Sequence, residues 1–434
     1  MIKYVISSLI IIFTVAISFC ANFPFPQNKV FYGIKVTGDM SERIESVYKS
    51  WLSQYYEEQD TLARITWDNQ SQTASEGIGY GMLIMVCMDN AENNTRPKFD
   101  KLWAYYKKFR DSNGLMNWKI DGFSGIASDG QTGATDADLD VAAALILAYR
   151  QWGDQKYRND AQELISAIRR YEISDDFYIK PGDAWDDKRD PSYFSVGALE
   201  LFKSVDTSNY NWSHVISNCF DIIKKTRDTA TGLPPDWYSS VGDTVLGDFG
   251  YEAVRVPWRM AWAYSWYGIH EAAEINGKIT NWIRKATEDD PSSIKSEYTL
   301  LGSPQGSPNA AYAGALTCGG MTSSENQNWI DSGFHVTENA LSNCYYFKTL
   351  QVLFMMLLSG NFPLMTNSPE AINQYTPAVS VKRFSPKVSL SITGLDRQHF
   401  NRGGYYFMLN GKRMKNCSFF TAEPLIVKQI KFKN

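Results

Sequence analysis

From Ser41 to Ser359, apolar residues recur mostly at three- and four-residue spacing, the period of one face of an α-helix. The spacing predicts helices over Ser41–Tyr56, Glu76–Asp89, Phe99–Arg110, Asp136–Trp152, Lys156–Tyr171, Ser192–Val205, Trp212–Arg227, Glu252–Tyr267, Ile279–Thr287 and Leu341–Ser359. Two kinds of helix alternate. In Asp136–Trp152, Leu139, Val141, Ala142, Ala143, Ala144, Leu145, Ile146, Leu147 and Ala148 make the helix apolar nearly all round, so it must be covered on most sides. By contrast, Lys156–Tyr171 carries Lys156, Arg158, Asp160, Glu163, Arg169 and Arg170, the pattern of an outer layer. An inner ring of apolar helices shielded by an outer amphipathic ring explains the alternation. About twelve helices so arranged form an all-α, (α/α)6 barrel, expected over residues 21–366.

Beyond that body the pattern changes. Residues 367–386 lack helical periodicity and read as a linker. Val388–Ile392, Tyr405–Lys412 with an Asn410-Gly411 turn, and the alternating run from Leu425 read as strands of a small β module over 387–434. From Val381 to the C-terminus, eleven Lys and Arg face only Asp396 and Glu423, a charge of +9 that leaves −13 on the rest of a chain whose total is −4. This segment resembles C-terminal sorting modules of some Gram-negative secreted proteins; a disordered basic tail is the alternative.

Met1-Ile2-Lys3 followed by the apolar run Tyr4–Phe19 has the form of a signal peptide over 1–20, shorter than the roughly 20 residues of a membrane span. Secretion after cleavage before Ala21 is expected, with surface association through the C-terminal module as a variant of it and a lipoprotein Cys20 as the alternative. No stable membrane insertion is expected. The six cysteines form no C-x-x-C pair and only four His are present, so no zinc site, metal or cofactor is expected. Cys87 and Cys344 fall in apolar helical runs and are expected to be buried. The net charge of −4 gives no reason to expect a nucleic-acid partner. A monomer is expected. The 13 Trp and 25 Tyr fit either a large aromatic core or a cleft lined with flat rings, which suit sugars.

Three constellations carry candidate chemistry. In Ala74-Ser-Glu-Gly-Ile-Gly-Tyr-Gly-Met, Ser75 suits an N-cap and places Glu76 in the first turn of an apolar helix. Gly77, Gly79 and Gly81 are poor helix formers, tolerated where backbone or ligand must come close. In Gly133-Ala-Thr-Asp-Ala-Asp-Leu-Asp, Thr135 can cap, and Asp136, Asp138 and Asp140 crowd the mouth of the most apolar helix. Capping alone does not explain three such acids, since buried unpaired carboxylates are costly; calcium binding is an alternative. In Asp248-Phe-Gly-Tyr-Glu-Ala-Val-Arg-Val-Pro-Trp-Arg, Glu252 opens a helix and Arg255 and Arg259 follow on one face. Buried arginines need carboxylate partners, and the other two helix mouths supply them. Parallel inner helices would bring Glu76, Asp136 and Glu252 to one end of the barrel. Paired carboxylates across a cleft are what glycoside hydrolysis requires.

These segments resemble the signature segments of family 8 glycoside hydrolases, and the Phe23-Pro-Phe-Pro-Gln opening is similar as well; the likeness runs from about Asn22 to Phe362. The resemblance implies an (α/α)6 barrel with a long open cleft, inversion at the anomeric carbon, Glu76 as proton donor, and Asp136 as the group that holds and distorts the sugar before the scissile bond. One position departs from the pattern: many members have Asp where this chain has Glu252. Glu252 is the first candidate base, with Asp248 and then Asp236 in reserve. The resemblance also marks Trp118, Trp185 and Tyr193 as sugar-stacking platforms. Tyr251 is a further helix-mouth aromatic, and Arg255 is expected to orient the base or bind the sugar. The implied partner is a polysaccharide, and the implied activity that of a secreted endo-β-1,4-glycanase acting on β-1,4-glucan (cellulose or mixed-linkage glucan). A xylanase of the same family and a catalytically impaired glycan-binding protein are the alternatives, and chitosan is a third substrate.

Overall fold

The computed structural model describes residues 21–239 and 243–366, and six strand segments between Val379 and Lys431. Among the described residues there are twelve α-helices: α1 (Ser41–Tyr55), α2 (Ser75–Cys87), α3 (Arg96–Lys108), α4 (Thr135–Trp152), α5 (Gln155–Tyr171), α6 (Val196–Phe202), α7 (Trp212–Thr226), α8 (Val256–Tyr267), α9 (His270–Ala286), α10 (Ala310–Gly319), α11 (Gln327–Asn339) and α12 (Tyr345–Leu358). The even-numbered helices are buried along nearly their whole length. They pack in the order α2, α4, α6, α8, α10, α12, and α12 returns to α2, closing a ring. Each odd-numbered helix lies on the outside of this ring, α3 on α2, α5 on α4, α7 on α6, α9 on α8, α11 on α10 and α1 on α12. The architecture is an (α/α)6 barrel, and the alternation of apolar and amphipathic helices is its cause.

This connectivity makes all inner helices parallel. Five of the six segments that lead into inner helices, 56–74, 109–134, 172–195, 227–255 and 287–309, are long (the sixth, 340–344, is short), whereas the returns 88–95, 153–154, 203–211, 268–269 and 320–326 are short. The long segments therefore gather at one end, above the N-termini of the inner helices. Small sheets stiffen them: Gln72–Ala74 with Lys119–Asp121 and Gly125–Ile126, and Lys188–Arg189 with Trp237–Ser239 and Thr244–Leu246.

Several local expectations change. Ser75 and Thr135 do not cap their helices; Ala74 and Ala134 hold the N-cap positions. The loops above take over the capping, because the N–H of Ser75 donates to the Trp118 carbonyl at 2.7 Å and that of Thr135 to the Pro181 carbonyl at 3.1 Å. The stretch predicted as one helix from Glu252 begins instead with a 3-10 turn, Ala253–Arg255, and turns α-helical at Val256, where Pro257 suits a first turn. Likewise Ser192–Val205 divides into the 3-10 turn Pro191–Tyr193 and the short α6. Cys87 is buried, but Cys344 sits at the N-cap of α12 and is only half-buried. In the C-terminal segment, Val379–Phe384, read as the end of a linker, forms a strand antiparallel to Lys387–Ile392. Met408–Leu409 pairs with Lys412–Arg413, and Ser418–Ala422 pairs with Ile426–Lys431, while the expected turn at Asn410-Gly411 lies outside the described residues. The leader, 1–20, lies outside the described residues.

The core inside the ring combines aromatic packing with a buried ion pair. Trp258, Trp262, Trp266 and Phe362 form a continuous cluster, with Trp262 5.1 Å from Trp266 and 5.0 Å from Phe362 between ring centroids. Beside it Arg259 makes a two-pronged contact with Asp140, at 2.5 and 2.8 Å, and neither side chain is more than 1% exposed. A guanidinium stripped of its partner here has no water to turn to. Asp140→Ala is expected to destabilise the protein by about 3–5 kcal/mol, read as a shift in denaturant midpoint. A loss below about 1 kcal/mol, the range of surface pairs, would contradict this role.

Candidate active site

Where the inner N-termini converge, one side chain organises the rest. Arg255 ends the 3-10 turn before α8 and is 1% exposed. Its Nη1 donates to Asp136 Oδ2 at 2.7 Å, to the Tyr80 hydroxyl at 3.1 Å and to Glu76 Oε2 at 3.3 Å. Its Nη2 forms a close ion pair with Glu252 and lies 3.9 Å from Asp190 Oδ2. These acids come from four separate stretches: α2 (Glu76), α4 (Asp136), the turn before α6 (Asp190) and the turn before α8 (Glu252). The structure thus brings together Glu76, Asp136, Glu252 and Arg255, singled out in the sequence, and adds Asp190 and Tyr80.

Four carboxylates around one guanidinium carry more negative charge than it can neutralise, so protons must be retained. Burial raises the Glu76 carboxyl, the charges of Asp136 and Glu252 add to this, and Arg255 opposes it; the result is pushed up to about 8. Glu76 therefore holds its proton at neutral pH, while its side chain remains 19% exposed. Burial also raises Asp136, with Arg255 opposing. It places Asp190 well above the usual carboxylate range, with the Glu252 charge adding to the effect. Glu252, whose side chain is 37% exposed, is the most open acid of the group.

The other two acids of α4 are spoken for elsewhere. Asp140 holds Arg259. Asp138 accepts a close hydrogen bond from the Tyr106 hydroxyl; burial pushes Asp138 up to about 7 and, with the Asp138 charge adding to it, raises Glu172 well above its ordinary value. The crowding of acids at this helix mouth thus reflects three separate buried partnerships.

The glycines of α2 permit close approach. A Cβ at Gly79 would lie 3.1 Å from the Ala137 carbonyl of α4, and one at Gly77 would lie 3.0 Å from the Tyr345 hydroxyl. The absence of a side chain lets α2 sit against α4 and lets the Tyr345 hydroxyl come close to the first turn of α2.

Aromatic side chains line the loops above. Trp118 is half-buried; its N–H donates to the Thr132 carbonyl at 2.8 Å, and its carbonyl receives the Ser75 N–H, which fixes it one residue from Glu76. It meets Trp67 edge-on at 6.2 Å. Trp185 is exposed. Tyr193 is half-buried, with the Arg255 guanidinium 5.5 Å from its ring centre and Trp237 at 6.2 Å. Tyr251 is exposed and stacks on Phe347, and its carbonyl accepts the Tyr346 hydroxyl at 2.5 Å.

The two reserve acids are differently placed. Asp248 is exposed, and its carboxylate accepts the Leu300 N–H and the Gln305 amide, both at 3.2 Å. Asp236 is half-buried and accepts three backbone N–H groups around Glu252; burial pushes it up to about 6. Sequence reasoning missed Tyr80, Asp190, Trp237, Tyr345 and Tyr346. The Tyr345-Tyr346 pair at the mouth of the apolar α12 was the only signal available for the last two.

The model of Glycosyl hydrolases family 8 matches residues 41–361, from the start of α1 past the end of α12. The chain is 32% identical over 383 residues to Endoglucanase 2 of Ruminiclostridium josui, covering 82% of this chain and 81% of that protein. It is 29% identical over 376 residues to the Beta-glucanase of Niallia circulans, with 79% and 91% covered. The solved apo structure of a beta-1,3-1,4-glucanase from Paenibacillus sp. X4 superposes with a TM-score of 0.74 at 28% identity, covering 78% of this chain and 98% of that one. A reducing-end-xylose releasing exo-oligoxylanase shares the fold, with a TM-score of 0.64 at 22% identity over 76% of this chain and 96% of that one. The matched span contains the closed ring and every member of the Arg255 cluster at its mouth, and the chain belongs to glycosyl hydrolases family 8.

Proposed function

We propose that the protein is an endo-acting β-1,4-glucanase that hydrolyses cellulose-like or mixed-linkage glucan with inversion, and that it is secreted. The observation that carries the reading is the Arg255 cluster: a carboxyl that keeps its proton, Glu76, and an open carboxylate, Glu252, held by the same guanidinium. Inverting glycosidases need this division of labour, one acid protonated and one ionised. Glu76 gives its proton to the glycosidic oxygen as the bond from that oxygen to the anomeric carbon breaks. Glu252 takes a proton from a water that attacks the same carbon from the opposite face, which inverts its configuration. Solvent exchange then returns Glu76 to its protonated state and Glu252 to its ionised one. Asp136, locked on Arg255, holds the sugar ring before the scissile bond, and Trp118, Trp185, Tyr193 and Tyr251 supply flat faces along the cleft.

A glucan is favoured because the relatives named above are an endoglucanase and β-glucanases. Of the loop acids that could pair the amines of chitosan, Asp183 is engaged with Thr132 and Gly133, Asp186 with Arg189 and Asp243 with Lys225, while Asp187 is exposed, so these acids do not decide for or against that substrate. Among the described residues no helix is long and apolar enough to cross a membrane.

Two measurements test the reading. On a panel of mixed-linkage β-glucan, carboxymethyl cellulose, xylan and chitosan, reducing ends are expected fastest from a glucan, and proton NMR of the first product should show the inverted anomer. Faster xylan cleavage or a retained anomer would overturn it. Separately, Glu76→Gln is expected to cut kcat by about 100- to 10,000-fold with glycan binding kept. In the native enzyme kcat/KM should fall as pH rises through about 8, where Glu76 gives up its proton. Substantial turnover by the variant would reject the acid assignment.

A further inference from the structure

Glu252 stands on a bend, not on a helix. The chain reaches it through Gly247–Tyr251 and only then enters the 3-10 turn. What holds the bend is a carboxylate from an earlier segment. Asp236 Oδ1 accepts the backbone N–H groups of Gly250 at 3.1 Å, Glu252 at 3.1 Å and Ala253 at 2.8 Å. Asp236 is itself anchored, since its N–H donates to the Asp248 carbonyl at 2.9 Å and the strand that follows it, Trp237–Ser239, pairs with Thr244–Leu246 and Lys188–Arg189. The approach is tight: a Cβ on Gly250 would fall 2.1 Å from Asp236 Oδ2. Three converging amides on one oxygen fix the orientation of the peptides on both sides of Glu252. They therefore fix the direction in which its side chain leaves the backbone.

We infer that Asp236 is a positioning residue for the base, acting on catalysis through the backbone of Glu252 rather than by touching substrate. The inference rests on the reading of Glu252 as the base. Arg255 pairs with Glu252 and makes no ion pair with Asp236, whose Oδ1 is given over to the backbone around Glu252, which separates this role from the reserve-base role considered from the sequence. The role also bears on the departure at residue 252. A Glu carries its carboxylate one methylene further from the backbone than an Asp, so an error in backbone direction is magnified at the reacting oxygen.

The test compares Asp236→Ala, Asp236→Asn, Glu252→Ala and the double variant Asp236→Ala/Glu252→Ala on the glucan substrate. Misplacement of about 1 Å can cost 100-fold, so Asp236→Ala is expected to lower kcat by about that factor with KM within about threefold. Asp236→Asn keeps an accepting Oδ1 and should recover activity to within about fivefold of native. The double variant should be no slower than Glu252→Ala alone, because the two residues act as a unit. If Asp236→Ala does not fold, Gly250→Ala, which pushes on the same carboxylate, should give the same kcat loss at unchanged KM. An Asp236→Ala or Gly250→Ala enzyme with near-native kcat would overturn the inference. So would losses that add in the double variant, or an Asn variant as slow as the Ala one. An active Glu252→Ala enzyme would instead remove the base assignment itself and the inference with it. An inactive Glu252→Ala beside an active Asp236→Ala removes only the positioning role.

Discussion

One buried guanidinium, that of Arg255, is shared among four carboxylates, and the chemistry at the mouth of the barrel follows from that imbalance. Taken singly, any of the four acids could pair with an arginine and ionise. Taken together and out of bulk water, they cannot all do so. The negative charge that Arg255 does not neutralise appears as a proton kept by Glu76 and as an upward shift of the buried Asp190, while the more open Glu252 remains bound to the arginine. An acid and a proposed base are thus distinguished by their surroundings, although both are glutamates.

The fold exists in a form that makes this arrangement possible. Six parallel inner helices bring six N-termini to one end, and the long connections fall there as well. Arg255 and Arg259 lie one helical turn apart and extend the same logic inward: the upper arginine faces Glu76, Asp136 and Glu252, and the lower one is closed off with Asp140 inside the ring. The inner helices can press together because α2 carries glycine where α4 and Tyr345 come near. A site with so much buried charge needs a rigid wall behind it, and the Trp258, Trp262, Trp266 and Phe362 cluster supplies one.

Much of this is written in the sequence in a readable form. The all-apolar and amphipathic helices alternate visibly, so the two rings can be read from periodicity, and Glu76, Asp136, Glu252 and Arg255 stand out as polar groups at apolar helix mouths. α10 is harder to read: its Ala-Ala-Tyr-Ala-Gly-Ala run is buried on every side and so has no polar face to mark a period. The capping of α2 and α4 is also invisible locally, because the acceptors for Ser75 and Thr135 are carbonyls of distant loops. Asp190 and Tyr345 carry no motif of their own and acquire meaning only when the ring closes and sets them beside Arg255 and Glu76. Asp236 was legible as an acid near a turn, but its three amide partners depend on a loop that folds back over more than ten residues.

The claim on which the rest depends is that crowding around Arg255 keeps Glu76 protonated. A carbon-13 NMR titration of the Glu76 carboxyl, assigned by its disappearance in Glu76→Gln, measures this directly in the free protein. The account predicts a titration near pH 8. A Glu76 carboxyl that ionises in the ordinary range of exposed glutamates, around 4.3, would contradict it.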